Sequence, residues 1–178
     1  YTLCNYLYEE GAKLIVSDIN KEKAERVARD FGAKVVTPDE IYSVSCDIFA
    51  PCSVGAVLNN ETIPLLKCEI VAGCANNVLL DEKVHGDMLM ERGILYAPDF
   101  VINAGGVINV YQEFHLPYNL EKSMRIIKRI YDRLLIIFDI SKKKKINTQT
   151  AAIEYAEERM ELIGEIRRNF LPNEKELK

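Results

Sequence analysis

Several short stretches of this chain end apolar runs with side chains suited to holding a small polar ligand. Asp18 follows the run at residues 12–17 (AKLIVS). An acidic side chain at the end of a buried strand can accept hydrogen bonds from adenosine ribose hydroxyls, and its charge would repel a 2′-phosphate, which favours NAD over NADP. Asp also caps helices and closes turns, so that simpler role stays open. Residues 50–55 (APCSVG) and 72–77 (AGCANN) likewise follow apolar runs. In open α/β sheets ligands sit outside the carboxyl ends of the strands, where small side chains let a ring approach the backbone. The Asn76 and Asn77 amides each offer a donor and an acceptor, which matches a carboxamide or a ribose hydroxyl; tight turns without a ligand explain both segments equally well. In residues 97–107 (APDFVINAGGV), the pair Gly105-Gly106 would open a helix with accessible N–H groups and the positive end of its dipole outward. Asn103 either caps that helix or reaches a ligand.

Other chemistry is less well served. The five cysteines, Cys4, Cys46, Cys52, Cys68 and Cys74, include two Cys-x5-Cys spacings, whereas zinc sites favour two to four intervening residues. An odd count without a short secreted framework reads as free, structural thiols in a reducing compartment, hence a cytoplasmic protein with no metal. His85 and His115 fall at predicted helix ends and read as surface or packing residues. The formal net charge of −4 gives no basic footprint for nucleic acid or an anionic membrane. No apolar run approaches the roughly 18–20 residues of a membrane span.

The elements that must position these residues alternate. Helices are predicted at 1–10, ending at Gly11, and after Asn20, with Ala24, Val27, Ala28 and Phe31 on one face and Gly32 behind them. A one-turn helix is expected at 38–42, a short one at 62–66 and a longer one at 81–92, with Gly93 as its C-cap. Between them lie apolar runs at 12–17, 34–36, 46–50, 69–72 and 94–96. Short apolar strands alternating with helices argue for a doubly wound parallel sheet covered on both faces. From Asn103 onward only helices are predicted, at about 105–114, 119–141 and 148–168, with a polar tail from Pro172. The lysine run 142–145 reads as a solvated stretch that complements the long helix's dipole. With 178 residues, 48% hydrophobic and 28% charged, the chain can bury one α/β core plus a helical appendage. The expected division is 1–115 and 116–178.

Five segments together resemble the glutamate, leucine, phenylalanine and valine dehydrogenases: SDINKE (17–22), CDIFAPCSVGAVLN (46–59), AGCANNVL (72–79), HGDMLMERGILYAPDFVINAGGVINV (85–110) and EERMELI (157–163). The likeness is greatest to the leucine-type members, in their C-terminal, NAD-binding part. It implies a Rossmann-type sheet followed by helices that pack back toward a substrate domain. The implied reaction is NAD-dependent oxidative deamination of a branched-chain L-amino acid to its 2-oxo acid and ammonia, in a homo-oligomer. By the same resemblance Asp18 would hold the adenosine ribose, Cys52 and Ser53 would line the nicotinamide ribose, and Asn76 would contact that ribose or the carboxamide. Asn103 would lie near the nicotinamide and substrate, and Val107 and Val110 would wall the side-chain pocket. Two β-branched residues one helical turn apart present a continuous apolar surface suited to an isobutyl or isopropyl group. Ordinary helix core is the plain alternative for that pair.

Some positions depart from the family pattern. Ser53 stands where alanine is usual and Cys74 where serine is usual, both still small. Val110 replaces a hydroxyl residue common in glutamate-specific members, which disfavours glutamate. No catalytic residue is assigned here, since the family's acid–base lysines and aspartate belong to the preceding domain. The chain opens at Tyr1 inside a predicted helix, so the first strand and the glycine-rich phosphate loop are expected just ahead of it. The alternatives are a phenylalanine or valine dehydrogenase of the same family, or a non-catalytic nucleotide-binding remnant.

Overall fold

Asparagine, aspartate and glycine punctuate the chain in a computed structural model that describes residues 1–114 and 116–170. The elements run α1 (Thr2–Glu9), β1 (Ile15–Val16), α2 (Lys21–Phe31), β2 (Lys34–Val35), β3 (Ile48–Phe49), β4 (Ile70–Val71), α3 (Glu82–Glu91), β5 (Leu95–Tyr96), α4 (Asp99–Ile102), α5 (Gly105–Glu113), α6 (Leu120–Lys144) and α7 (Thr148–Phe170). Single 3-10 turns lie at Ile41–Ser43 and Ile63–Leu65. Residues 1–46 with 64–67 form one compact unit; residues 47–63 and the chain from 68 form a second. These units do not divide at residue 115. None of the described helices is long and apolar enough to cross a membrane.

In the first unit, Asn20 Oδ1 accepts the Lys23 N–H at 3.2 Å and starts α2, and Gly32 ends it at φ +65°. Glycine takes that left-handed conformation without the Cβ clash other residues meet. Ala24 and Val27 are the buried stripe of α2. Beside it β1 and β2 pair in parallel, Ile15 opposite Lys34 and Val16 opposite Val35.

In the second unit, β3, β4 and β5 make a parallel sheet in that order, Phe49 opposite Val71 and Val71 opposite Tyr96. Asp81 Oδ1 caps α3 by accepting the Val84 N–H at 2.8 Å. The core beneath includes Leu58, Ile63, Val71, Val78 and Leu89, each at most 2% exposed. α6 packs on α4, α5 and α7, and α7 also packs on α3 and β5. Ile137 of α6 meets Ala151 and Ala152 of α7, with Val101, Ile140, Ile146 and Tyr155 around them.

Several boundaries differ from expectation. The regular strands are two residues long, in two small parallel sheets; in the second sheet Pro51, Gly73 and Pro98 follow the paired residues closely. The helix predicted at 38–42 is a turn running into the 3-10 turn at Ile41–Ser43. There the Glu40 carboxylate accepts both the Thr37 N–H (2.9 Å) and its hydroxyl (2.8 Å), holding the chain in a turn. An additional helical turn, α4, precedes Asn103. α6 continues through the lysine run to Lys144: Lys143 pairs with Asp139 and Lys144 with Glu154, both at 2.6 Å. His85 is buried at 2% exposure within α3, so it packs and does not lie at the surface. His115 lies outside the described residues.

α7 is anchored at its first turn. Asn147 Oδ1 accepts the Thr150 N–H at 2.8 Å, Asn147 Nδ2 donates to Asp87 Oδ1 at 2.6 Å, and the Thr148 hydroxyl donates to the Tyr96 carbonyl at 2.7 Å. A Cβ at Gly86 would stand 2.9 Å from the Asn147 side chain. Gly86→Ala is therefore expected to displace Asn147 and lower stability by about 1–3 kcal/mol, as overpacking does. A urea melt checks this, and an unchanged midpoint would show that Asn147 yields freely.

Candidate functional site

Three loops leave the carboxyl ends of β3, β4 and β5 side by side, and they carry most of the residues singled out from the sequence. The first two are joined through their backbones. The Pro51 carbonyl accepts the Ala75 N–H at 3.0 Å, and the Asn77 carbonyl accepts the Ala56 N–H at 2.7 Å. A Cβ at Gly73 would overlap the Pro51 carbonyl oxygen and stand 2.6 Å from its nitrogen. One at Gly55 would stand 2.9 Å from the Asn77 carbonyl oxygen. Both positions therefore need glycine for space. Asn77 and Ala56 adopt positive φ, +51° and +60°; asparagine tolerates this region, while for alanine it is strained.

The third loop is tied in by two side chains. Asp99 is 8% exposed, and its Oδ2 accepts the Val78 N–H at 2.8 Å while its Oδ1 accepts the Phe100 N–H at 2.6 Å. One carboxylate thus holds the β4 loop and the start of α4 together. The Tyr96 hydroxyl accepts the Asp99 N–H at 3.2 Å. Burial first, and then the Asp99 charge, push that hydroxyl well above the usual phenol range. Asn103, at the end of α4, does not cap α5. Its Nδ2 donates to Asn76 Oδ1 at 2.7 Å, to the Ala75 carbonyl at 3.1 Å and to the Cys74 carbonyl at 3.3 Å.

The second unit thus brings Asn76 and Asn103 into direct contact, with Cys52 and Ser53 exposed on the adjoining loop. The Cys74 thiol is pushed above its usual range, first by burial and then by the neighbouring Cys52 thiol. Val107 and Val110 lie on α5 at 76% and 52% exposure, so this pair forms surface and not core. Asp18 belongs to the first unit, exposed at the end of β1. Its Oδ1 closes a turn by accepting the Asn20 N–H at 2.8 Å, and its Oδ2 has no partner among the described residues. The turn role and a free acceptor therefore coexist in one side chain.

Asp99 is a functional residue beyond those singled out above, although an acidic residue after Pro98 at a helix start is a recognisable local signal. A cavity of about 300 Å³, which no local sequence pattern marks, lies beside α4, α6 and α7, lined by Phe100, Val101, Ile137 and Tyr155 with Arg133 and Arg159. None of the predicted site residues lines that cavity. No cluster of three or more metal-ligating side chains occurs among the described residues.

Comparison with known proteins assigns the class. The profile of the glutamate/leucine/phenylalanine/valine dehydrogenases matches residues 8–161, and the chain belongs to that family. It is 55% identical to leucine dehydrogenase of Thermoactinomyces intermedius over 177 residues, covering 99% of this chain and 48% of the relative. It is 40% identical to phenylalanine dehydrogenase of Caldalkalibacillus thermarum over 172 residues, covering 94% and 46%. The crystal structure of L-tryptophan dehydrogenase from Nostoc punctiforme superimposes with a TM-score of 0.86 at 52% identity, covering 89% of this chain and 48% of that one. The chain spans about half the length of the curated relatives it matches.

If Asp99 fastens these loops, Asp99→Asn should cost about 1–3 kcal/mol, since an amide nitrogen cannot accept the second N–H and leaves it buried without a partner. Equilibrium denaturation measures this. A loss below about 0.5 kcal/mol would place Asp99 among the ordinary surface substitutions.

Proposed function

We propose that this chain is the cofactor-binding half of an NAD-dependent amino acid dehydrogenase of the leucine type. The observation that carries the reading is the Asn76–Asn103 pair, 2.7 Å apart at the carboxyl edge of the parallel sheet. Asn103 spends its amide hydrogens on the β4 loop, which leaves its Oδ1 as an acceptor. Asn76 spends its oxygen on Asn103, which leaves its NH₂ group as a donor. A carboxamide needs that complementary pair. Gly55 and Gly73 let the two loops pack against each other, and the exposed Cys52 and Ser53 add only short side chains to the same edge.

When bound, NAD would accept the hydride from the amino acid Cα. In the second unit Cys52, Ser53, Asn76 and Asn103 would contact its nicotinamide side; within the first unit, taken by itself, Asp18 Oδ2 is left as an acceptor suited to ribose hydroxyls. Asp99 is engaged structurally, with a backbone N–H on each of its oxygens. This half accordingly binds and orients. The acid–base groups implied by the family resemblance are not among the residues gathered at this edge.

Val107 and Val110 would present an apolar wall to a leucine, isoleucine or valine side chain. The exposure of both valines supports this over a core role. One methylene is worth about 1–3 kcal/mol, so several aliphatic substrates would be used. An aromatic amino acid is the second reading, favoured by the likeness to the tryptophan and phenylalanine enzymes. A cytoplasmic homo-oligomer belongs to the same proposal.

Titration of the chain with NADH and NADPH tests the cofactor reading. NADH should bind at least tenfold more tightly, and Asn103→Ala should weaken it about tenfold, roughly 1.4 kcal/mol, with an unchanged circular dichroism spectrum. Equal affinity for NADPH would overturn the role of Asp18. Assay of the full-length gene product with NAD and leucine, valine, phenylalanine, tryptophan or glutamate tests the substrate. Turnover should be fastest with leucine; glutamate as the best substrate would refute the valine wall.

A further inference from the structure

We propose that Cys52 and Cys74 form a reactive dithiol that a hydroperoxide converts into an intrachain disulfide. The two cysteines extend neighbouring parallel strands. Pairing of Phe49 with Val71, carried two residues further, sets Pro51 against Gly73. The close approach confirms this, since any Cβ at Gly73 would overlap the Pro51 carbonyl, and the Pro51 carbonyl accepts the Ala75 N–H at 3.0 Å. Cys52 and Cys74 are the next residue on each side. Neighbouring strands lie about 4.8 Å apart, within the Cα separation of about 4.4–6.8 Å that a disulfide spans. Both cysteines are free and exposed, so an oxidant can reach them.

The chemistry balances with the peroxide as oxidant. One thiolate attacks the peroxide, forming an S–O bond, breaking the O–O bond and releasing an alcohol or water. The second thiolate then attacks that sulfur, forming the S–S bond and expelling the oxygen as water. Two thiols are oxidised and one peroxide is reduced. Partial burial, and then the adjacent Cys52 thiol, raise the Cys74 pKa. A raised thiol pKa means less thiolate at neutral pH, so disulfide formation should accelerate as pH rises. Neither sulfur needs a bound cofactor for this reaction, so its test is independent of the NAD reading.

The experiment treats the chain with hydrogen peroxide and counts thiols after denaturation. Three of the five should remain, dithiothreitol should restore all five, and non-reducing peptide mapping should join the Cys52 and Cys74 peptides. Cys52→Ser and Cys74→Ser should each abolish the linked peptide. Five thiols remaining, a linkage involving Cys4, Cys46 or Cys68, an interchain dimer, or a singly oxidised Cys52 beside an intact Cys74 thiol would each overturn the proposal.

Discussion

The Asn76–Asn103 pair and the Cys52–Cys74 dithiol both depend on how closely the loops after β3 and β4 approach one another. At Gly73 and Gly55 there is no room for even a methyl group. The backbones can therefore share hydrogen bonds directly, Ala75 to Pro51 and Ala56 to Asn77, with no side chain wedged between them. That contact sets Asn76 where Asn103 can reach it and brings Cys52 beside Cys74. Asp99 completes the arrangement from the β5 side through two backbone N–H groups. A buried carboxylate is costly unless it is fully hydrogen-bonded; here both oxygens are engaged, so the charge fastens two loops.

The parts of the structure legible in the sequence are those governed by neighbours a few residues away. Asn20 starting α2, Asp81 starting α3 and glycines at 11, 32 and 93 in positive φ all follow from local backbone chemistry. The apolar runs marked all five strands in order, though not their short extent, because hydrogen-bonded pairing needs a partner whose position no local pattern gives. The same reasoning explains the error at 38–42. Pro38 is a sound helix starter, but the Thr37–Glu40 hydrogen bonds favour a turn.

The site divides along the same line. Residue types and strand ends pointed to Cys52, Ser53, Asn76 and Asn103, and the structure gathers them on adjoining loops. Asn103's contacts and the Asp99 bond to Val78 are not legible locally, because those partners lie more than twenty residues away, whereas the Asp99 bond to Phe100 is a local helix-start feature. Local sequence leaves Asn103 open between capping α5 and reaching a ligand; with α4 in place, Asn103 ends that helix and turns toward the β4 loop. The valine pair on α5 was ambiguous for a related reason. Helical spacing places the two side chains on one face, but only the surrounding packing shows whether that face is buried, and here it is exposed.

The Asn103 amide offers two hydrogens to three acceptors: Asn76 Oδ1, the Ala75 carbonyl and the Cys74 carbonyl. One of these oxygens is always undersupplied, and at 3.3 Å the Cys74 carbonyl holds the weakest share. An incoming group with a hydrogen to donate would meet a carbonyl already short of one, so docking there would relieve a deficit and displace no strong bond. The loop edge is in this sense one hydrogen-bond donor short.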